Sequence, residues 1–313
     1  MTCFLPDATV ELLSMLDFLE FLPVWLVLRL MQALPRPAAR RLGIAIGLGF
    51  FRFYSRLRRV GLRNLELAFP AMPAPERLQI LRGVFVSLGR LLAEFPKFPS
   101  YTLENVSQVA IYDGLENFEA ARQRGKGVLL LSAHFGGWEV GPFVHSLHGH
   151  KLQLVVRDLD NPYVDRLARR YRTLHGNGSI GKAEFARGLL SALRRGGTVG
   201  ILMDTNMTPP HGVFVDYFGH AACTAVGVAR AAMHTGAAVV PAFTVWDEAL
   251  QKYRIRFEPA LEPLHTGDAD ADAVANTALY TKVIEGYVRR YPEQWLWVHR
   301  RWKTRPPGEP PIY

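Results

Sequence analysis

The stretch GVLLLSAHFGGWEV, residues 127–140, decides the fold. Its first seven residues are a short unbroken apolar run, the pattern of a strand buried on both faces. A histidine, two glycines, a tryptophan and a glutamate follow at once, so polar chemistry begins where the strand stops. Gly136 and Gly137 let the backbone turn sharply there and open a helix. The same grammar repeats outward from this point. LQLVVR (152–157), TVGILMD (198–204) and AAVVPAFTVW (237–246) read as further buried strands, and YRIRFEP (253–259) alternates like a half-exposed one. Residues 137–147, 162–174, 183–195 and 225–235 between them read as helices. Alternation of this kind predicts an α/β fold, a largely parallel sheet flanked by helices.

Residues 10–95 read as helical, punctuated by LPRP at 34–37 and FPAMPAPE at 69–76. Pro75 and Glu76 open a helix in which Leu78, Leu81, Phe85, Leu88 and Leu92 recur at three- and four-residue spacing, one apolar stripe on a polar cylinder. Ahead of it the charge is one-sided. The chain carries 37 basic and 28 acidic residues, a net charge of +9, and residues 21–65 hold nine arginines with no Asp or Glu. Interleaved with FLPVWLVLRLMQAL and LGIAIGLGFFRFY, these arginines suit apolar faces dipping into an anionic membrane surface. A nucleic-acid arm would place polar residues where this segment has Leu, Ile, Phe and Trp, so no nucleic acid is expected. The expected organisation is a basic, helical membrane-associating segment over residues 1–65 and a catalytic domain over 66–313. Residues 18–34, with Pro23 and Arg29 inside, either make a short membrane helix or lie flat. Asp7, Glu11, Asp17 and Glu20 leave no positive start for a signal peptide, so the N-terminus is expected to be retained. Cys3 and Cys223 read as free thiols of a reducing compartment; neither has a partner at metal-ligand spacing, and no metal or prosthetic group is expected.

In open α/β sheets, sites gather beyond the carboxyl ends of the strands, where His134 falls. A carboxylate on one imidazole nitrogen fixes the tautomer and leaves the other nitrogen to take a proton. On a continuous helix Glu139 would point about 140° away from His134, so the glycine turn is what would swing it back. No Ser or Cys stands in a nucleophile-elbow context, so the proton is expected to come from a substrate hydroxyl. A histidine at a strand end can also simply satisfy loop carbonyls. Arg157, ending the second strand, can grip a phosphate bidentately or form a surface ion pair with Asp158 or Asp160. Asn161 and Pro162 shape the turn after it. In the terminal WLWVHRRWKTRP, Trp295 and Trp297 either face a membrane or an acidic carrier, or alternate like a strand entering the core.

AHFGGWE, residues 133–139, resembles the H-x-x-x-x-(D/E) motif of the lysophospholipid acyltransferase superfamily, in the form used by the bacterial lipid A late (lauroyl/myristoyl) acyltransferases and their phosphatidylinositol mannoside relatives. RVGLRNLELAFP, VVRDLDNPYVDRL, GVFVDYFGHAACTAVGVARAAMHTGAAVVPAF and PEQWLWVHRRWKTRP are similar to that family's other elements in order and spacing, over roughly residues 55–306. The resemblance implies a glycerolipid acyltransferase-like fold at the cytoplasmic face of a bacterial inner membrane. It implies transfer of an acyl chain from an acyl carrier protein or coenzyme A thioester to a hydroxyl of a membrane lipid. His134 would be the general base and Glu139 its orienting partner, with Gly136 and Gly137 N–H groups meeting the thioester oxyanion. Asp204 would bind acceptor hydroxyls or pair with Arg157, or else cap the loop at Thr205. Phe218, Gly219 and Thr224 would line the pocket, Gly219 having a turn residue as its other reading. Gly137 and the run DTN (204–206) depart from the lipid A pattern at positions expected to face the acceptor. Rival readings are an acyltransferase for another lipid such as a phosphatidylinositol mannoside or a lysophospholipid, a hydrolase using the same base on water, and a membrane-bound interaction protein without catalysis.

Overall fold

A computed structural model of the chain describes residues 8–181 and 184–313, with side chains from Met15 onward. Cys3 and the acidic Asp7 lie outside the described residues, as does the Glu11 side chain. Four helices come first: α1 (Ala8–Ala33), α2 (Arg36–Phe53), α3 (Ser55–Ala68) and α4 (Ala74–Glu94). The first break falls at Leu34–Pro35, while α1 runs straight through Pro23. Among the described residues no helix is long and apolar enough to cross a membrane.

Helix α2 crosses α4 at close range because glycines line the crossing. A Cβ added at Gly43 would stand 2.2 Å from the Gly89 carbonyl oxygen, and one at Gly47 would stand 2.2 Å from that of Phe85. Small residues four apart let two helix backbones meet in this way. The stripe on α4 then faces the core through Leu81 and Phe85, whereas Leu78 stays 43% exposed at the start of the helix. On α3, Asn64 donates from Nδ2 to the Trp297 and His299 carbonyls at 2.6 and 2.7 Å, tying this helix to the C-terminal segment.

The sheet follows in alternation with helices: β1 (Ala110–Asp113), α5 (Leu115–Gln123), β2 (Val128–Ser132), α6 (Val140–Leu147), β3 (Leu152–Val155), α7 (Pro162–Arg172), β4 (Gly178–Ile180), α8 (Phe185–Arg194) and β5 (Thr198–Leu202). A hairpin of β6 (Gly212–Tyr217) and β7 (His220–Ala225) leads to α9 (Gly227–Thr235), β8 (Ala238–Asp247), β9 (Lys252–Phe257) and α10 (Ala269–Arg290). The seven strands lie in the order β1-β9-β8-β2-β5-β3-β4. Strands β8, β2, β5, β3 and β4 run parallel; β9 is antiparallel to β8, and β1 parallel to β9. The expected α/β fold with a largely parallel sheet is therefore the one observed. The strands β1 and β4 and the β6–β7 hairpin had no reading in the sequence, because each is short and only partly apolar.

Alternate residues of the central strands feed two cores. Leu129, Leu131, Val199 and Ile201 pack with α4, α8, α9 and α10 on one face, and Val128, Leu130, Leu152 and Val240 with α5, α6 and α7 on the other. Each fully buried leucine stabilises the fold by about 1.5–3 kcal/mol. Helix ends are set by side chains where the sequence offers them. Asn161 accepts from the Tyr163 and Val164 N–H groups to cap α7, with Pro162 at its first position, and Asp268 accepts from Ala271 N–H to cap α10.

The topology leaves one crevice. The chain leaving β2 enters the sheet next at β3, beyond β5, whereas the chain leaving β5 returns at β8, beyond β2. Neighbouring strands whose connections depart in opposite directions open a cleft above their carboxyl ends. His134 follows β2 into that cleft, and Asp204 follows β5.

Candidate active site

The parallel register pairs Ser132 with Leu202, so His134 and Asp204 stand the same number of residues beyond adjacent strands. The ladder continues past the strands: Met203 N–H donates to the Ser132 carbonyl at 2.9 Å, and His134 N–H donates to Asp204 Oδ2 at 2.9 Å. His134 Nδ1 lies 2.9 Å from Asp204 Oδ1. The Trp295 indole N–H donates to Oδ2 at 2.8 Å and completes the set around a buried carboxylate. With Nδ1 committed to Asp204, Nε2 is the nitrogen left to exchange a proton.

Electrostatics follow this geometry. Burial alone pulls the His134 pKa down, but the Asp204 charge and hydrogen bond, with Glu139 behind them, outweigh it and hold the imidazole above its ordinary 6.5. Burial likewise pushes Asp204 up, and the His134 and Trp295 contacts more than reverse it, holding the carboxyl below the usual range.

Glu139 does not reach the imidazole. Arg172, the last residue of α7, takes its carboxylate bidentately, Nε to Oε2 at 2.9 Å and Nη2 to Oε1 at 2.5 Å. The glycine turn that was expected to aim Glu139 at His134 brings it to the same cleft but points it at α7, and the carboxylate bonded to the imidazole is that of Asp204. The turn itself is built as expected. Gly136 adopts φ +52°, and a Cβ there would stand 2.2 Å from the Thr244 carbonyl oxygen. Its consequence for the oxyanion differs: Gly136 N–H donates to the Gln294 carbonyl and Gly137 N–H to that of Thr244, each at 2.8 Å. Both donors are used by the fold, so neither is open to a thioester oxygen.

Other expected residues fall in two groups. Arg157 stands at the cavity rim, its side chain 81% exposed and 3.3 Å from Asp160, in the surface ion pair that was one of its two readings. Phe218, Gly219 and Thr224 do not line the cavity. Phe218 (φ +58°) and Gly219 (φ +78°) are the two-residue turn of the β6–β7 hairpin, a geometry that demands positive φ at both positions. Phe218 lies under the Arg289 guanidinium, 4.4 Å from its ring centre. Thr224 is fully buried, donating to the Ala222 carbonyl and accepting from Arg301. Asn206 is likewise turned away from an acceptor: its side chain clasps Thr304 through two bonds of 2.9 Å, and its N–H donates to His299 Nε2. Trp295 and Trp297 are buried in the core but lie outside any strand, Trp295 meeting Phe135 in a single bridge.

Behind His134 the cleft deepens into a cavity of about 260 Å³ between α6 and the sheet. Charged groups, Glu139, Arg157 and Arg172, sit at one end with His134; Leu130, Leu154, Ala242 and Ile255 make an apolar interior. Trp138 packs edge-on to the His134 ring at 5.6 Å. Arg172 had no sequence signal, since its role depends on where α7 ends in space. No group of three or more His, Cys, Asp or Glu that could hold a metal occurs among the described residues.

The arrangement is a histidine with a buried carboxylate behind it, opening on a cavity with an apolar interior. The family model for bacterial lipid A biosynthesis acyltransferases matches residues 9–304. The chain is 31% identical over 310 residues to the lipid A biosynthesis lauroyltransferase of Escherichia coli (strain K12), covering 99% of both proteins. It is 31% identical over 288 residues to the palmitoleoyltransferase of the same organism, covering 92% of each. To that organism's myristoyltransferase it is 27% identical over 262 residues, 82% of this chain and 80% of the relative. The chain belongs to the bacterial lipid A biosynthesis acyltransferase family and is an acyltransferase.

Proposed function

We propose that the protein moves a fatty acyl chain from a thioester of acyl carrier protein or coenzyme A to a hydroxyl of a lipid A precursor, at the cytoplasmic face of a bacterial inner membrane. The observation that carries this reading is the His134–Asp204 pair standing at the polar end of an apolar cavity. His134 Nε2 takes the acceptor hydroxyl proton as that oxygen attacks the thioester carbonyl carbon. The C–S bond then breaks, and the departing thiolate takes the proton back from the imidazolium. Asp204 acts through His134, holding the tautomer and stabilising the imidazolium.

Charge that develops on the thioester oxygen needs a partner other than the glycine N–H groups. Arg172 lines the cavity and pairs with Glu139 through Nε and Nη2, which leaves Nη1 for that oxygen. Arg157 at the rim suits an acceptor phosphate, since its exposed ion pair with Asp160 is easily exchanged. Helix α1 supports the membrane assignment. Leu16, Leu19, Leu26 and Leu30 are each at least half exposed along it, beside the arginines of α2. The acyl carrier protein or coenzyme A donor and the lipid acceptor are the partners this reading requires.

The test is mass spectrometry of total lipids from cells expressing the wild type or His134→Ala at matched levels. An acylated lipid that appears only with the wild type is the expected result and names the acceptor. Identical profiles from two folded, membrane-bound proteins would overturn the reading in that host.

A further inference from the structure

The floor of the cavity is the sheet, whose side chains stand in rows across neighbouring strands. In the parallel register Gly200 of β5 lies between Leu130 of β2 and Leu154 of β3. All three line the cavity, whereas Val199 and Ile201, which flank Gly200 in the chain, pack in the core on the other face. The row therefore has a gap at its centre. Gly200 is half-buried between neighbours that are 0% and 6% exposed, so the surface it leaves open belongs to the cavity. Past this row the cavity continues to Leu152, which pairs with Thr198 two residues deeper in the sheet.

Packing does not account for a glycine at this point. Gly141, the other glycine on the cavity wall, is held by its neighbours, since a Cβ there would stand 2.1 Å from Thr244 Oγ1. A Cβ at Gly200 would meet, among the described residues, only the end of the Leu154 side chain, at 3.3 Å, and the backbone is that of an ordinary strand without positive φ. Glycine inside a strand weakens it and marks a place where another group comes close. Here that group is whatever fills the cavity. Leu130 precedes His134 by four residues, so the row lies roughly 13 Å down the strand from the imidazole-bearing residue. An extended alkyl chain advances about 1.3 Å per carbon, given its ~1.5 Å C–C bonds, which brings about the tenth carbon to this row.

We propose that Gly200 is a specificity-determining residue: the gap it leaves between Leu130 and Leu154 is the passage by which an acyl chain reaches the deep end of the cavity. This rests on the acyl-transfer reading above. With the gap open, a chain continues past the row toward Leu152 and buries its last carbons there. A side chain at position 200 would fill the passage and stop the chain at the row. Chains that end before the row meet the same walls in either case.

The experiment measures kcat/KM for transfer to a lipid A precursor from a homologous series of saturated acyl thioesters, with wild type, Gly200→Ala and Gly200→Val, together with the melting temperature of each. Chains of up to about ten carbons should be used by the variants as by the wild type. For longer chains Gly200→Val should lose about tenfold or more relative to those short ones, the scale on which a methylene-sized clash discriminates, and Gly200→Ala should lose less. The melting temperatures should hold or rise, because a strand gains from a residue with a side chain. Selectivity and stability then move independently, which a packing role would not produce. An unchanged chain-length profile, a loss spread evenly over all lengths, or a lower melting temperature in Gly200→Ala would overturn the proposal, as would a wild type that prefers chains ending before the row. Absence of transfer by the wild type from every thioester would instead remove the acyl-transfer reading itself.

Discussion

Asp204 binds His134 twice, through Oδ1 to the imidazole Nδ1 and through Oδ2 to the backbone N–H of the same residue, each at 2.9 Å. One carboxylate therefore fixes both the ring and the chain that carries it, and Trp295 holds the carboxylate in turn. Orientation of the imidazole is built into the register of β2 on β5 rather than left to a flexible side chain.

Asp204→Asn tests that arrangement. The amide keeps the shape but can present its NH2 to Nδ1, favouring the tautomer whose Nε2 carries the proton and cannot act as base. We expect kcat to fall by about 100- to 10,000-fold, with a much smaller change in KM. Stability should change with a defined pH dependence. Folding lowers the Asp204 pKa, so its contribution is present above the ordinary 3.8 and is lost as pH falls through the depressed folded value. Folding raises the His134 pKa, so its contribution is complete below 6.5 and is lost as pH rises through the raised value. The difference in melting temperature between wild type and Asp204→Asn should therefore be largest between those two limits. A variant with wild-type turnover would exclude Asp204 as the positioning group.

The second carboxylate acts at longer range. His134 must be neutral to accept a proton, so kcat/KM should fall as pH drops through its raised pKa. Glu139 raises that pKa and Arg172 lowers it. Glu139→Gln removes the first influence and leaves Arg172 unpaired, which moves the acid limb to lower pH. Arg172→Gln does the reverse and moves it to higher pH. Opposite displacements in the two pH–rate profiles are the expected signature; displacement in one direction for both would mean that the pair does not tune His134.

Much of this was legible in the sequence, for reasons specific to each segment. GVLLLSA and TVGILMD announced strands because they are buried on both faces, and the glycines after His134 announced a turn because Gly136 sits at positive φ against another chain. The partnership of His134 with Asp204 was not legible. Seventy residues separate them, and only the pairing of Ser132 with Leu202 brings them to the same height. A reader who had placed those two strands side by side would have found it. That Glu139 pairs with Arg172 was not legible either, because five residues of sequence distance from His134 say nothing about where α7 ends in space. The FG pair at 218–219 suggested a pocket loop, yet its φ angles and the Arg289 stack make it a hairpin turn packed on the far core.

Helix α1 gives the last expectation. Its middle packs on the start of α7: the Asn161 side chain donates to the Asp17 carbonyl at 2.8 Å, and Phe18 and Phe21 meet the Tyr163 ring at 5.7 and 5.6 Å. These contacts stand just past the segment that carries Arg157 and Leu159 on the cavity rim. An apolar surface that docks on lipid here would bring the bilayer beside the mouth through which a lipid acceptor must pass. Leu19→Asp combined with Leu26→Asp places charge on residues that are each 54% exposed, so the fold should survive with a melting temperature close to wild type. Sedimentation with vesicles containing anionic lipid should drop by about tenfold or more, since two buried leucines contribute a few kcal/mol of transfer free energy. Activity on a vesicle-borne acceptor should fall with it, while activity on the same acceptor dispersed in detergent should hold. Unchanged sedimentation would move the membrane contact off α1, and equal losses in vesicles and detergent would make the helix part of the catalytic fold instead.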